Sequence, residues 1–201
     1  MYSKGRGVCV AAVGYLCLFV MGWMISMKDA GWYSRAYDLR MLSPLVIILG
    51  VMGILAFVQS RALDTIIFFS GAAAFGSAVV YHWSFLAYNP NLITTRMTEP
   101  TSFLGWFAIL WAIVFCYLWA SSFRSGAGRM LFLLGTWVSL LVLAISAWTG
   151  AAGWLIAAGY IGLATSVIAG VVSAGEIIAY GRVGNANLPV EGPGPRAIAA
   201  D

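Results

Sequence analysis

The sequence predicts an all-α membrane protein of six transmembrane helices with both termini cytoplasmic. Three observations predict it. The 201-residue chain is 62% hydrophobic and 9% charged, whereas soluble domains carry roughly a quarter charged residues, and a soluble fold of this length could not bury so much apolar surface. Six apolar runs, over 7–25, 41–58, 65–86, 103–123, 130–148 and 154–178, are each near the ~20 residues that cross a bilayer. The basic residues divide unevenly between the breaks. With the N-terminus inside, Lys4, Arg6, Arg61, Arg124, Arg129, Arg182 and Arg196 face the cytoplasm, against Lys28, Arg35, Arg40 and Arg96 outside.

The first run follows Lys4 and Arg6 and is long enough to span, so it reads as a membrane helix and not as a cleavable leader. Its Cys9 and Cys17, with Cys116 of the fourth run, read as packing thiols. The second run carries Gly50 and Gly53, positions where a neighbouring helix can come close. The third run is the one around which the others are expected to assemble. Its middle holds Gly71, Ala72, Ala73, Ala74, Gly76, Ser77 and Ala78, which fill little volume and suit a close helix or a passage. Ser70, Ser77 and Tyr81 recur at i, i+7 and i+11, giving it one polar face. Asp64 reads as its N-terminal cap, where the helix dipole favours an anion. His82, between Tyr81 and Trp83, reads as interfacial and not as a proton relay.

The longest break, over 87–102, precedes the fourth run. The fifth carries Thr136, Ser139 and Ser146, and the sixth Thr165, Ser166 and Ser173. In the sixth, Ala158, Gly162, Ser166, Gly170 and Ala174 recur every fourth residue. This seam of small residues serves close helix packing, either inside one bundle or between subunits. Glu176 stands about two residues before the inner end of that run. An acid there either pairs with Arg182 at the inner mouth or handles protons. Trp23, Trp83, Trp106, Trp148 and Trp154 fall at the outer interface, Trp119 and Tyr180 at the inner one. Short connections put residues 1–182 in one transmembrane domain, and the Gly- and Pro-rich residues 183–201 form a flexible cytoplasmic tail.

Several functional classes fall away. The charge of +4 is scattered through the loops, so no nucleic-acid partner is expected. One histidine supplies no catalytic triad, and neither a metal-ligand spacing nor a nucleotide fingerprint is present. The expectation is therefore no enzyme, no cofactor and no metal. What remains is a bundle lined by hydroxyls, small residues and aromatic rings, with no strong fixed charge at mid-membrane. Such a lining suits a small neutral solute, or a small anion carrying a proton.

Two stretches resemble the acetate uptake transporter family, the acetate/succinate–proton permeases. Family members carry Thr-Ala-Phe-x-Ser-Tyr-Gly in the third helix, where this chain has Ser70-Gly71-Ala72-Ala73-Ala74-Phe75-Gly76. Phe75 stands for the pore tyrosine of the family and Ser70 for its threonine. The run from Ala158 to Glu176 is similar to the family's Ala-Gly-Trp/Tyr-x-Gly run ending in Gly-Glu, and Leu188-Pro189-Val190 follows as Leu-Pro-Ile/Leu does there. The chain departs from the family before the first helix, where Tyr2-Ser3-Lys4-Gly5-Arg6-Gly7-Val8 replaces the Asn-Pro-Ala-Pro-Leu-Gly signature. The resemblance implies a six-helix protomer in a homo-hexamer, embedded in the cytoplasmic membrane. Each protomer would pass acetate, and in some members succinate, inward with protons.

On that resemblance the substrate path comprises Ser70, Phe75, Gly76, Ser77 and Tyr81. Tyr15 and Leu140 to Leu143 are the neighbourhoods of its constriction, and Glu176 is the proton-handling group at the inner mouth. Arg35, Arg40 and Arg96 would draw anions to the outer mouth. Two other readings stay open: a channel for urea or a short amide, and a membrane subunit or sensor that transports nothing.

Overall fold

A computed structural model describes residues 6–32, 42–88 and 101–186, with side chains over 10–32, 42–80 and 103–179. Among them the chain forms six helices and no strand: α1 (Arg6–Asp29), α2 (Ser43–Val58), α3 (Ala62–Tyr88), α4 (Thr101–Ser121), α5 (Ala127–Thr149) and α6 (Ala152–Ala186). Five are long and apolar enough to cross a membrane, which makes this a multi-pass helical membrane protein.

Helix α2 is shorter than its apolar run. It has 16 residues, about 24 Å at 1.5 Å per residue. Local chemistry sets both its ends. Pro44 occupies its first turn, where the missing N–H costs no intrahelical bond. At the other end Ser60 takes a left-handed conformation with φ of 59°. The Arg61 amide then reaches back to the Ala56 carbonyl, closing a Schellman-type stop. That stop delivers Arg61 to the bundle end where α3 begins. Helix α6 departs the other way. It continues to Ala186, beyond the boundary expected at residue 182. Residues 187–201 of the expected tail lie outside the described residues.

The helices form a ring in which α1 packs on α6 and α2, α5 on α6 and α4, and α2 on α3. The ring is thinnest between α3 and α4, which barely touch. The seam of small residues on α6 faces α1 within the same chain. A Cβ on Gly162 would run into Ser26, one on Gly159 into the backbone of Asp29 and Ala30, and one on Gly170 would meet Phe19 at 3.3 Å. The traffic is reciprocal, since Gly22 of α1 leaves room for the Ser166 hydroxyl. Ser173 ties the same interface by donating to the Ala12 carbonyl at 2.7 Å. In α3, Gly71 admits Leu18 of α1 and Leu49 of α2, and Gly76 faces Val46 of α2. Gly53 of α2 lies against the Phe69 ring.

The α5–α6 connection is a two-residue hairpin. Gly150 has φ of 67°, a region costly for other residues, and its amide bonds the Ser146 carbonyl. The ends of α1 and α5 and the start of α6 thus share one face. Trp32, Trp106, Trp148 and Trp154 are all about half exposed or more there. Trp106 stacks edge-on against Trp148, and Trp32 against Tyr160. Trp83, Tyr180 and His82 have side chains outside the described residues. The start of α1 and the end of α6 lie together at the opposite end.

Candidate functional site: a hydroxyl-lined cavity closed by a tyrosine

A cavity of about 550 Å³ opens among α1, α3, α4, α5 and α6. Lys28, Asp29, Gly150 and Ala152 stand at its mouth, beside the tryptophan face. Its wall is largely apolar: Leu18, Phe75, Phe107, Trp111, Phe115, Phe132, Leu140 and Leu143. Six hydroxyls interrupt it, from Ser26, Thr136, Ser139, Ser146, Thr165 and Ser166. Lys28 and Asp29 are the only charged residues among the described lining.

Five of these hydroxyls are already committed. Thr136, Thr165 and Ser166 each donate at 2.8 Å to the carbonyl four residues earlier in their own helix, as membrane-helix hydroxyls do. Ser139 donates across to the Ala158 carbonyl of α6 at 3.1 Å. Ser146 reaches the Ala151 carbonyl at 3.5 Å. Ser26 has no acceptor within the described residues.

The inner end of the cavity is shut by Tyr15. Its fully buried ring meets Phe68 edge-on at 5.3 Å and Phe132 at 5.9 Å. Phe132 belongs to the cavity wall. Phe68 can lie here because Gly14 has no Cβ, which would collide with the tip of the Phe68 ring. The Tyr15 hydroxyl points away from the cavity and donates to Asp64 at 3.2 Å.

Behind the tyrosine lies an ionic cluster. Asp64 is paired with Arg61 and with Arg129, each at 3.2 Å. Glu176 is paired with Arg129 at 2.6 Å and with Arg61 at 3.6 Å. Two guanidinium groups therefore balance two carboxylates, drawn from the start of α3, from α5 and from α6. The Arg129 guanidinium also stands 5.9 Å from the Tyr15 ring centre, on the edge of cation–π range. A smaller pocket of about 260 Å³, lined by Arg61, Asp64, Ser125 and Arg129, opens at this end. Tyr15 thus stands between a cavity with little charge and a charged pocket.

The residues expected to form a path are spread over different surroundings. Phe75 lines the cavity, with Ala74 and Ala78 of the same helix. Ser70, Gly76 and Ser77 are not on its wall. Ser77 is about 200° around the helix from Phe75 at 100° per residue. It is exposed, and its hydroxyl is taken by the Ala73 and Ala74 carbonyls. The Tyr81 side chain lies outside the described residues, as do Arg35, Arg40 and Arg96.

Glu176 is at the end opposite the mouth, engaged by Arg61 and Arg129, with the Arg182 side chain outside the description. Asp64 is not the cap expected for α3, because its carboxylate is turned to Tyr15, Arg61 and Arg129. It lies inside the first turn of the helix, nearly buried, and gathers charges from two helices. The sequence reading missed this cluster because its members are far apart in the chain, and helical spacing finds only pairs within one helix. It also passed over Ser26 and Phe132, which resemble ordinary membrane-helix residues. The hydroxyls of α5 and α6 were legible as a group. Of those named, only Ser173 proves to be an interface bond and not cavity lining.

No protein-family model and no curated protein sequence matches the chain. A solved structure does: that of the bacterial acetate channel SatP, with a TM-score of 0.74 over 94% of this chain and 99% of that one. The two share a fold. Sequence identity is 17%, so the likeness carries architecture alone.

Proposed function

We propose that the chain is a channel or transporter for a small monocarboxylate of acetate size. The observation that carries this reading is the chamber itself: apolar walls, a few hydroxyls, a charge-poor interior, and a single aromatic closure before a charged exit. A lining of this kind replaces part of the hydration shell of a small polar solute while excluding bulk water and bare inorganic ions. The shared architecture with a bacterial acetate channel supports the same reading.

Solute enters beside Lys28, passes Phe75 and the hydroxyls, and leaves past Tyr15 into the Arg61–Asp64–Arg129–Glu176 cluster. Glu176 is assigned to the inner mouth, where exchange between its guanidinium partners and a proton would link flux to a proton gradient. Seven basic residues on the side of the termini against four on the other orient that side to the cytoplasm. The sequence resemblance supports a homo-hexamer, and the exposed apolar faces of α2 and α4 offer surface for subunits or lipid.

The test is uptake of labelled acetate into proteoliposomes, with and without an inward proton gradient, against labelled urea. Acetate entry above that of protein-free vesicles, increased by the gradient, is the expected result. Urea entry without acetate entry would assign the chain to neutral amides. Failure of both in a folded protein would remove the transport reading.

A further inference from the structure

The cavity hydroxyls can be sorted by where their protons go. A backbone carbonyl carries no proton, so every hydroxyl resting on one has spent its single donor and offers only lone pairs. That describes Thr136, Ser139, Thr165 and Ser166, and at longer range Ser146. Ser26 differs. It is 7% exposed, lines the cavity and has no acceptor within the described residues. Its surroundings are shaped around it, since a Cβ on Gly162 would collide with the Ser26 Oγ and lie 3.3 Å from the Ser139 Oγ. The absence of that Cβ keeps one free donor beside one lone-pair acceptor, at a place reached from the cavity.

Resting on the transport reading above, we infer that Ser26 donates to the carbonyl oxygen of the permeating solute, and that the solute brings a donor of its own for the lone pairs around it. The class is a small planar carbonyl compound with an adjacent O–H or N–H, either the protonated carboxylic acid or the corresponding amide. A carboxylate anion fits poorly. It needs several donors, whereas the side-chain donors of the described lining with no acceptor are few, Ser26 and the Trp111 indole, and its one cation, Lys28, is at the mouth beside Asp29. An anion gathered at the mouth therefore takes a proton from the water there before it binds Ser26.

The experiment is saturable uptake of labelled acetate and, in parallel, labelled acetamide by the full chain in proteoliposomes, with protein-free vesicles subtracted. Ser26→Ala should raise the half-saturation concentration for both by about five- to tenfold, the loss of one hydrogen bond. Ser173→Ala removes a hydroxyl that serves only the α1–α6 interface and should leave half-saturation unchanged, which separates recognition from general damage. Excess acetamide should compete with acetate, and acetone, a carbonyl without a donor, should not. Unchanged half-saturation in Ser26→Ala, or equal competition by acetone, would overturn the inference and leave the transport reading intact. Acetamide uptake without acetate uptake would overturn the carboxylate reading, and the Ser26→Ala shift would then be read on acetamide alone. A folded protein that passes neither would overturn both.

Discussion

Among single residues, Asp64 has the most at stake. It is nearly buried, holds the Tyr15 hydroxyl and faces two guanidinium groups. Removing its charge leaves Arg61 and Arg129 opposed by Glu176 alone. Breaking a buried pair in this way costs about 3–5 kcal/mol. Asp64→Asn should therefore lower thermal stability in detergent markedly. Glu176→Gln should cost less, because Glu176 is more exposed than Asp64, while still altering proton-driven uptake. Thermal melts paired with uptake assays check both, and equal melting for the two variants would contradict the asymmetry. The sequence marked Glu176 as exceptional, since an acid near membrane depth is, and gave Asp64 only a capping role. It could not show that they meet: Asp64 and Arg129 are 65 residues apart, and only the packing of α3 against the bundle reveals the pair.

Elements were legible where hydrophobic length and turn chemistry agree. All six helices fall on the six apolar runs: most ends shift by a few residues, α2 ends with its run at Val58, and α6 continues past its run to Ala186. Ser60 could not be read as a helix stop, because serine rarely takes the left-handed conformation that glycine takes freely. The α6 seam was legible as a pattern but not as a partner, since small residues every fourth position serve any close helix.

The structure seats that seam on α1, and two glycines of α6 outside the seam differ in what they meet. Gly159 abuts backbone, which cannot swing aside, whereas Gly153 has nothing within 4 Å of its would-be Cβ. Gly159→Ala should cost about 1–3 kcal/mol by overpacking. Gly153→Ala, inside a helix, should be neutral or stabilise by up to about 1 kcal/mol. Thermal unfolding of the two variants side by side tests the α1–α6 interface directly, and a mild Gly159→Ala would mean the helices are not held there.

Across the whole molecule, the arrangement is a cavity, an aromatic closure and a charge-balanced cluster behind it, in an architecture shared with a bacterial acetate channel. The division into an apolar wall and a charged end follows from where charges can reside in a bilayer, and composition made it readable. Which hydroxyls face the cavity was not readable, because a rotation of one helix by one residue exchanges lining for lipid face. Ser77 and Phe75, two positions apart, show how finely that choice is made.

The shortness of α2 bears on the surrounding lipid. At about 24 Å it falls below the ~30 Å hydrocarbon thickness of an ordinary bilayer. In the same bundle, on the far side of α1, α6 runs for 35 residues. A protein with one undersized wall imposes a hydrophobic mismatch along a single side, and lipids there must thin or tilt to meet it. Reconstitution in phosphatidylcholines of increasing acyl length should accordingly weaken uptake once the bilayer outgrows α2, with folding retained. Flux indifferent to chain length would mean that α2 is shielded from lipid. The membrane is then a working component of this protein, and its thickness a variable that belongs beside pH and solute in any measurement of transport.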